Sequence, residues 1–312
     1  MLKSIWILSV FHLCSATNTP VIGILAQPTT EYGFDTFIAA SYVKFVELAG
    51  ATVIPVWTNQ STDYYERVIN YTNGLLFPGG DASFVEPGGY GDTSRKLYQL
   101  AKKSNDNGNF YPIWATCLGF EVIPYAEIGQ DLRVNCSVEV RGWPLEMTKD
   151  FKNSSLFENI PERIYQILTT QNVTFNFHSF CLTEEVLKTY GLLSEWHILS
   201  TNTDEKGLKY ISTMENRKYP IYGVQYHPEK HGFEFAPHYN FPHTADSIAM
   251  MQYFGNFFVN EARKNNNTFA SDKMKLNSMI YNYCTKFSGL DDNYYFLMYG
   301  FYPNDYINNQ LE

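Results

Sequence analysis

Three short stretches carry residue types that could act together on a carbonyl group. In Tyr111-Pro-Ile-Trp-Ala-Thr-Cys117-Leu-Gly-Phe-Glu121, a run suited to a buried strand stops at a cysteine and turns into a helix. Such a turn presents a thiol at the end of a sheet, beside the free N–H groups of a helix N-terminus. The helix dipole favours the thiolate, so the expectation is a lowered thiol pKa. Gly119 would let the new helix pack closely. A thiol nucleophile needs a base to take its proton and return it to the leaving amine. His227, in Gln225-Tyr-His227-Pro-Glu229, fits that role, and Glu229 could hold the far imidazole nitrogen and fix its tautomer. The third stretch is Pro78-Gly79-Gly80. Glycine lets the backbone turn an N–H toward a developing oxyanion, so Gly80 and Leu118 are the expected donors.

Each residue also has an ordinary reading. Cys117 could be a structural core cysteine, His227 a strand-end histidine and Glu229 a solvated carboxylate. Pro78-Gly79-Gly80 could be only a turn. His178 alternates with aromatics in Phe175-Asn-Phe-His178 and could be a satisfied sheet residue. His231, His238 and His243 lie in a polar loop without the carboxylate or thiolate spacing of a zinc site, so no metal is expected. The functional reading gains because one reaction explains all three stretches.

These stretches need elements to hold them at the carboxyl ends of strands, where doubly wound sheets do their chemistry. Strands are expected at 21–26, 51–57, 74–77, 111–116, 211–214 and 221–225. Helices are expected at 36–49 (closing on Gly50), 63–71, 93–104 and 245–263. The alternation predicts an α/β fold with a mostly parallel central sheet and helices on both faces. From 129 to 177 the pattern changes to short β-like runs, expected as an antiparallel extension or an insertion. Residues 267–312 are Asn-rich, then aromatic, and read as a loosely packed extension or a partner-facing arm.

The 312 residues, 45% hydrophobic, suffice for a full core, and a net charge of −9 without a basic cluster argues against nucleic-acid binding. Lys3 followed by an apolar run to Cys14 and small residues predicts a signal peptide over 1–16, with the domain over 17–266. No later stretch is long enough to span a membrane. Six sequons, at Asn59, Asn70, Asn135, Asn153, Asn172 and Asn266, agree with secretory routing. If Cys117 stays free, at most one disulfide can form among Cys136, Cys181 and Cys284.

The Phe-Pro-Gly-Gly, Thr-Cys117-Leu-Gly-Phe-Glu and Gly-Val-Gln-Tyr-His227-Pro-Glu229 stretches resemble class I glutamine amidotransferase-type hydrolases. Ile38-Ala-Ala-Ser-Tyr-Val-Lys44, Phe175-Asn-Phe-His178 and Phe257-Phe-Val-Asn-Glu-Ala-Arg-Lys-Asn-Asn266 are similar to the gamma-glutamyl hydrolase (conjugase) family in particular. The resemblance covers about 20–266. It implies a glutamine amidotransferase-like fold, with Cys117 as nucleophile, His227 as base and Glu229 orienting. It places His178, Tyr42, Glu121, Gln225 and Gly79 near the substrate. It further implies cleavage of poly-γ-glutamyl folates and antifolates, no cofactor, a homodimer, and a lysosomal or extracellular location. A protonated His178 could then bind substrate carboxylates in acid. Ala115 departs from the family's usual glycine, which raises the question of how tight the turn is. Asp81-Ala-Ser, after Gly80, is a second departure and could alter the oxyanion loop. Three other readings stay open: a hydrolase of smaller γ-glutamyl amides, a silent folate-binding homologue, and an ammonia-supplying glutaminase subunit, which the signal peptide disfavours.

Overall fold

The computed structural model describes residues 17–30, 33–289 and 296–308. The expected signal peptide lies outside them. Apolar runs buried on both faces build an eight-stranded sheet. Its spatial order is Thr52–Val56, Val21–Leu25, Gly74–Phe77, Ile113–Thr116, Ile221–Val224, Lys209–Asn216, Trp196–Thr203 and Glu146–Met147. The first five strands pair in parallel, and the last three add antiparallel.

Side chains alternate across each strand, so neighbours in register show which helices cover which face. Trp114 and Tyr222 are paired and point one way, toward Phe254, Phe257 and Phe258 of the helix Ala245–Ala262 and Phe45 of the helix Ala40–Glu47. Ala115 and Gly223 are paired and point the other way, where a side chain on Gly223 would strike Phe120 of the helix Leu118–Ile128. Helices on both faces of a mostly parallel sheet are the expected doubly wound arrangement.

Local pattern misled at 36–39 and 196–203, while the antiparallel extension expected around 129–177 is present. Thr36–Ala39 was expected to open a helix but is a strand, and the helix is confined to Ala40–Glu47. The strand pairs with Leu297–Phe301, a partner that no local periodicity reveals. The segment 129–177 contributes only Glu146–Met147 to the main sheet. It also holds the helix Glu162–Thr170, the whole of one small antiparallel ribbon, Arg141–Trp143 with Thr174–Asn176, and one strand of a second, Val134–Asn135, which pairs with Phe180–Cys181. The strand Trp196–Thr203 carries little alternation and passes unnoticed in the sequence.

The described part of 267–312 is packed rather than loose. Thr285–Phe287 and Leu297–Phe301 join Thr36–Ala39 and Gln27–Pro28 in a four-stranded antiparallel sheet. Ile280, Met298 and Phe301 are fully buried. Among the described residues, no helix is long and apolar enough to cross a membrane.

Candidate active site

Cys117 stands where the parallel strand Ile113–Thr116 ends and the helix Leu118–Ile128 begins. Its backbone has φ 51°, one of two positive φ values at non-glycine residues among those described. Left-handed backbone at a side chain with a Cβ costs energy and persists where the surroundings enforce it. Enforcement comes from the Cys117 N–H donating to the Val224 carbonyl (2.8 Å) and the Gly119 N–H donating to the Pro78 carbonyl (3.1 Å). Gly119 is required, because a Cβ there would lie 2.0 Å from the Phe77 carbonyl oxygen. With Ala115 in place of the family's glycine the turn is still closed, since Ala115 packs in the core beside Gly223 rather than in the turn itself.

Three of the expected site residues meet over Gly79. A Cβ built on Gly79 would come within 2.7 Å of His227 Cε1, 2.8 Å of the Tyr42 hydroxyl and 2.9 Å of Cys117 Cβ. These residues come from a loop, a helix and a strand-to-helix turn, so their meeting is a property of the fold. The Gly79 N–H donates to the Tyr42 hydroxyl (2.7 Å). A side chain on Gly80 would collide with Gln27, whose Nε2 donates to the Gly79 carbonyl. His227 Nδ1 donates to Glu229 Oε1 at 2.7 Å, and both are buried. That bond sets the tautomer and leaves the Nε2 lone pair on the opposite edge of the ring, able to take a proton. Burial works to raise the Glu229 carboxyl, but the adjacent His227 outweighs it and holds the pKa below its ordinary value.

The thiol departs from the expectation. Burial, reinforced by the carboxylates of Glu121 and Glu229, pushes Cys117 well above its usual pKa. The Leu118 N–H, directed at the sulfur, opposes this only in part. The helix-terminus effect is present, but desolvation is larger. The resting nucleophile is therefore a thiol, 3.8 Å from the Phe177 carbonyl oxygen, and it requires its base.

Glu121 and Gln225 lie behind the nucleophile. They are buried, and Gln225 Nε2 donates to Glu121 Oε1 at 2.8 Å. Each holds the other in place beside the helix Leu118–Ile128. Burial raises the Glu121 carboxyl to about 7. Arg133 approaches Glu121 at 3.4 Å and is held at 2.7 Å by Asp131, with its guanidinium between the rings of Phe84 and Phe180. His178 is half-buried, next to Phe177 whose carbonyl faces Cys117, and burial lowers its pKa to about 4. That runs against the charged, carboxylate-binding form expected in mild acid.

Sequence reasoning missed several residues around the site. Lys230 is half-buried and paired with Glu234 (2.6 Å), which accepts from Ser41 (2.6 Å), so an ion pair braces the His227 loop against the helix bearing Tyr42. Its charge lies where it favours a Cys117 thiolate. The spacing of Lys230 and Glu234 was the available clue. The disulfide joins Cys136 to Cys181, which leaves Cys284 free and exposed. No spacing argument could have selected that pair.

A cysteine at the head of a helix, a glutamate-held imidazole and a glycine turn between them are parts that suit a cysteine hydrolase. Sequence comparison narrows this class. The Peptidase C26 family model matches residues 20–229. The gamma-glutamyl hydrolase of Homo sapiens is 37% identical over 276 residues, 86% of this chain and 86% of its own. That of Rattus norvegicus is 36% identical over 279 residues, 88% of this chain and 87% of its own. Gamma-glutamyl hydrolase B of Dictyostelium discoideum is 36% identical over 273 residues, 85% of this chain and 78% of its own. The chain belongs to the peptidase C26 family, and it is a cysteine hydrolase related to the gamma-glutamyl hydrolases.

Proposed function

We propose that this enzyme cleaves the γ-glutamyl bonds of folyl-poly-γ-glutamates. The observation that carries the reading is the meeting of Cys117, His227 and Tyr42 over Gly79 in a chain of this family. His227 Nε2 takes the Cys117 proton as the sulfur attacks the γ-carbonyl carbon. The oxyanion is met by the N–H groups of Gly80 and Leu118. Collapse breaks the C–N bond, and His227 returns its proton to the departing α-amine. A water activated by the same imidazole then hydrolyses the thioester and regenerates the thiol. Glu229 orients and compensates the imidazolium.

His178 stays neutral beside the substrate with its nitrogens facing Asn176 and Phe180, and Tyr42 positions Gly79 and the base. Acid favours the nucleophile through Glu121. Once protonated below about pH 7, that side chain no longer opposes a thiolate at Cys117. This fits work in a lysosomal or acidic extracellular compartment. The leader over 1–16 and the exposure of all six sequon asparagines support secretory routing and glycosylation. The enzyme acts as a homodimer, for which light scattering of the pure protein is the direct measurement.

The deciding experiment incubates the pure protein with folate pentaglutamate. Wild type should release glutamate or shorter γ-peptides, and C117A should release none. Tight folate binding without turnover in either would reject hydrolysis in favour of a binding protein.

A further inference from the structure

We infer that Cys136, His178 and Cys181 form a zinc site when their disulfide is reduced. The three donor atoms lie within 4.8 Å of one another. His178 Nδ1 is 3.7 Å from Cys136 Sγ and 3.6 Å from Cys181 Sγ. A tetrahedral zinc with Zn–S about 2.3 Å and Zn–N about 2.0 Å has S···N edges of about 3.5 Å. Two edges of the polyhedron are therefore already close to length, and only the sulfurs must part.

The imidazole is also set up as a ligand. Its Nε2 faces Asn176 Oδ1 at 3.1 Å and its Nδ1 faces the Phe180 carbonyl at 2.9 Å. A neutral ring has one N–H for these two oxygens. Asn176 is fixed as the acceptor, because its Nδ2 donates to the Thr174 carbonyl at 2.8 Å. In the tautomer protonated at Nε2, donation to Asn176 leaves the Nδ1 lone pair for a cation; in the other tautomer Nδ1–H donates to the Phe180 carbonyl, and zinc binding requires the proton to move to Nε2. An oxygen holding the second imidazole nitrogen is the usual outer partner of a metal-bound histidine. Two thiolates and an imidazole suit zinc, with the fourth position left to water.

The chemistry balances with a dithiol reductant. It supplies two electrons and two protons, the Cys136–Cys181 bond breaks, and the reductant closes to its own disulfide. Zinc then displaces both thiol protons. The ribbon Val134–Asn135 with Phe180–Cys181 keeps the ligands adjacent after the bond opens. Phe177, next to His178, presents its carbonyl to Cys117, so zinc here binds at the wall of the active site.

Cys117 and Cys284 could take zinc themselves, so the test uses C117S/C284S and reads metal rather than turnover. After reduction with a dithiol and its removal, titration with zinc should give one tightly bound ion per chain, and cobalt should give a tetrahedral thiolate spectrum. The oxidised protein should bind none. Asn176→Ala should weaken affinity on the order of tenfold. Absence of stoichiometric binding after reduction, or binding that survives C136S/C181S, would overturn the site. If reduction alone unfolds the protein, zinc must restore its circular dichroism, and failure to do so overturns the site equally.

Discussion

At the residue scale the site depends on what surrounds the sulfur. Cys117, His227 and Glu229 were legible because their chemistry is written in residue type and in position after a strand. The state of the thiol was not, because burial and the carboxylates of Glu121 and Glu229 come from residues brought close only by folding. Glu121 makes this testable. Its carboxyl titrates near 7 when folded, against an ordinary value near 4.5. Between those values the folded chain keeps a proton that the unfolded chain has lost, so stability falls as pH rises through the window. Glu121→Gln should abolish that fall and gain on the order of 3 kcal/mol relative to wild type between pH 5 and pH 8. Urea unfolding at the two pH values measures it. The same change should lower the apparent pKa for alkylation of Cys117 by iodoacetamide. Unchanged alkylation profiles would mean that Glu121 does not reach the thiol. Gly79→Ala tests the meeting point. The new methyl would intrude on His227, Tyr42 and Cys117, so kcat/KM should fall at least a hundredfold while near-ultraviolet dichroism is kept.

At the scale of elements, the strand-to-helix turn is the part the sequence described best. A buried strand, a cysteine and a glycine two residues on can hardly be read otherwise, and the close approach of Gly119 to Phe77 is the physical reason. Gly119→Ala drives a methyl into a backbone carbonyl that cannot move without opening the sheet. It should cost about 3 kcal/mol in urea denaturation and misplace the nucleophile as well. Thr36–Ala39 is the contrary case. Its apolar spacing fits a helix locally, and only the pairing with Leu297–Phe301 makes it a strand. The helix after it carries Tyr42, so an error there would have left a site residue on the wrong element.

For the whole molecule, the end of the chain is part of the enzyme's frame. Phe301 is fully buried and packs edge-on against Trp57 and Tyr283. Its strand supports Thr36–Ala39 and so, indirectly, Tyr42 and Gly79. Phe301→Ala should destabilise by about 3–5 kcal/mol, seen as a lower urea midpoint, where a dangling arm would show no change. The Asn-rich and aromatic composition of this region hid its role, since aromatics without periodicity fit an arm as well as a core.

The amino-acid sequence by itself determined the candidates for chemistry, a thiol, an imidazole and a carboxylate at strand ends, and the doubly wound sheet that brings those ends together. These are written in residue type and short spacing, which are local. The tertiary structure alone decided that the thiol rests protonated, that Glu121 and Gln225 bond to each other, that Cys136 pairs with Cys181 beside His178, and that the final strands brace the site. Each of those depends on burial or on partners distant in the chain, and desolvation and pairing exist only once the chain has closed on itself.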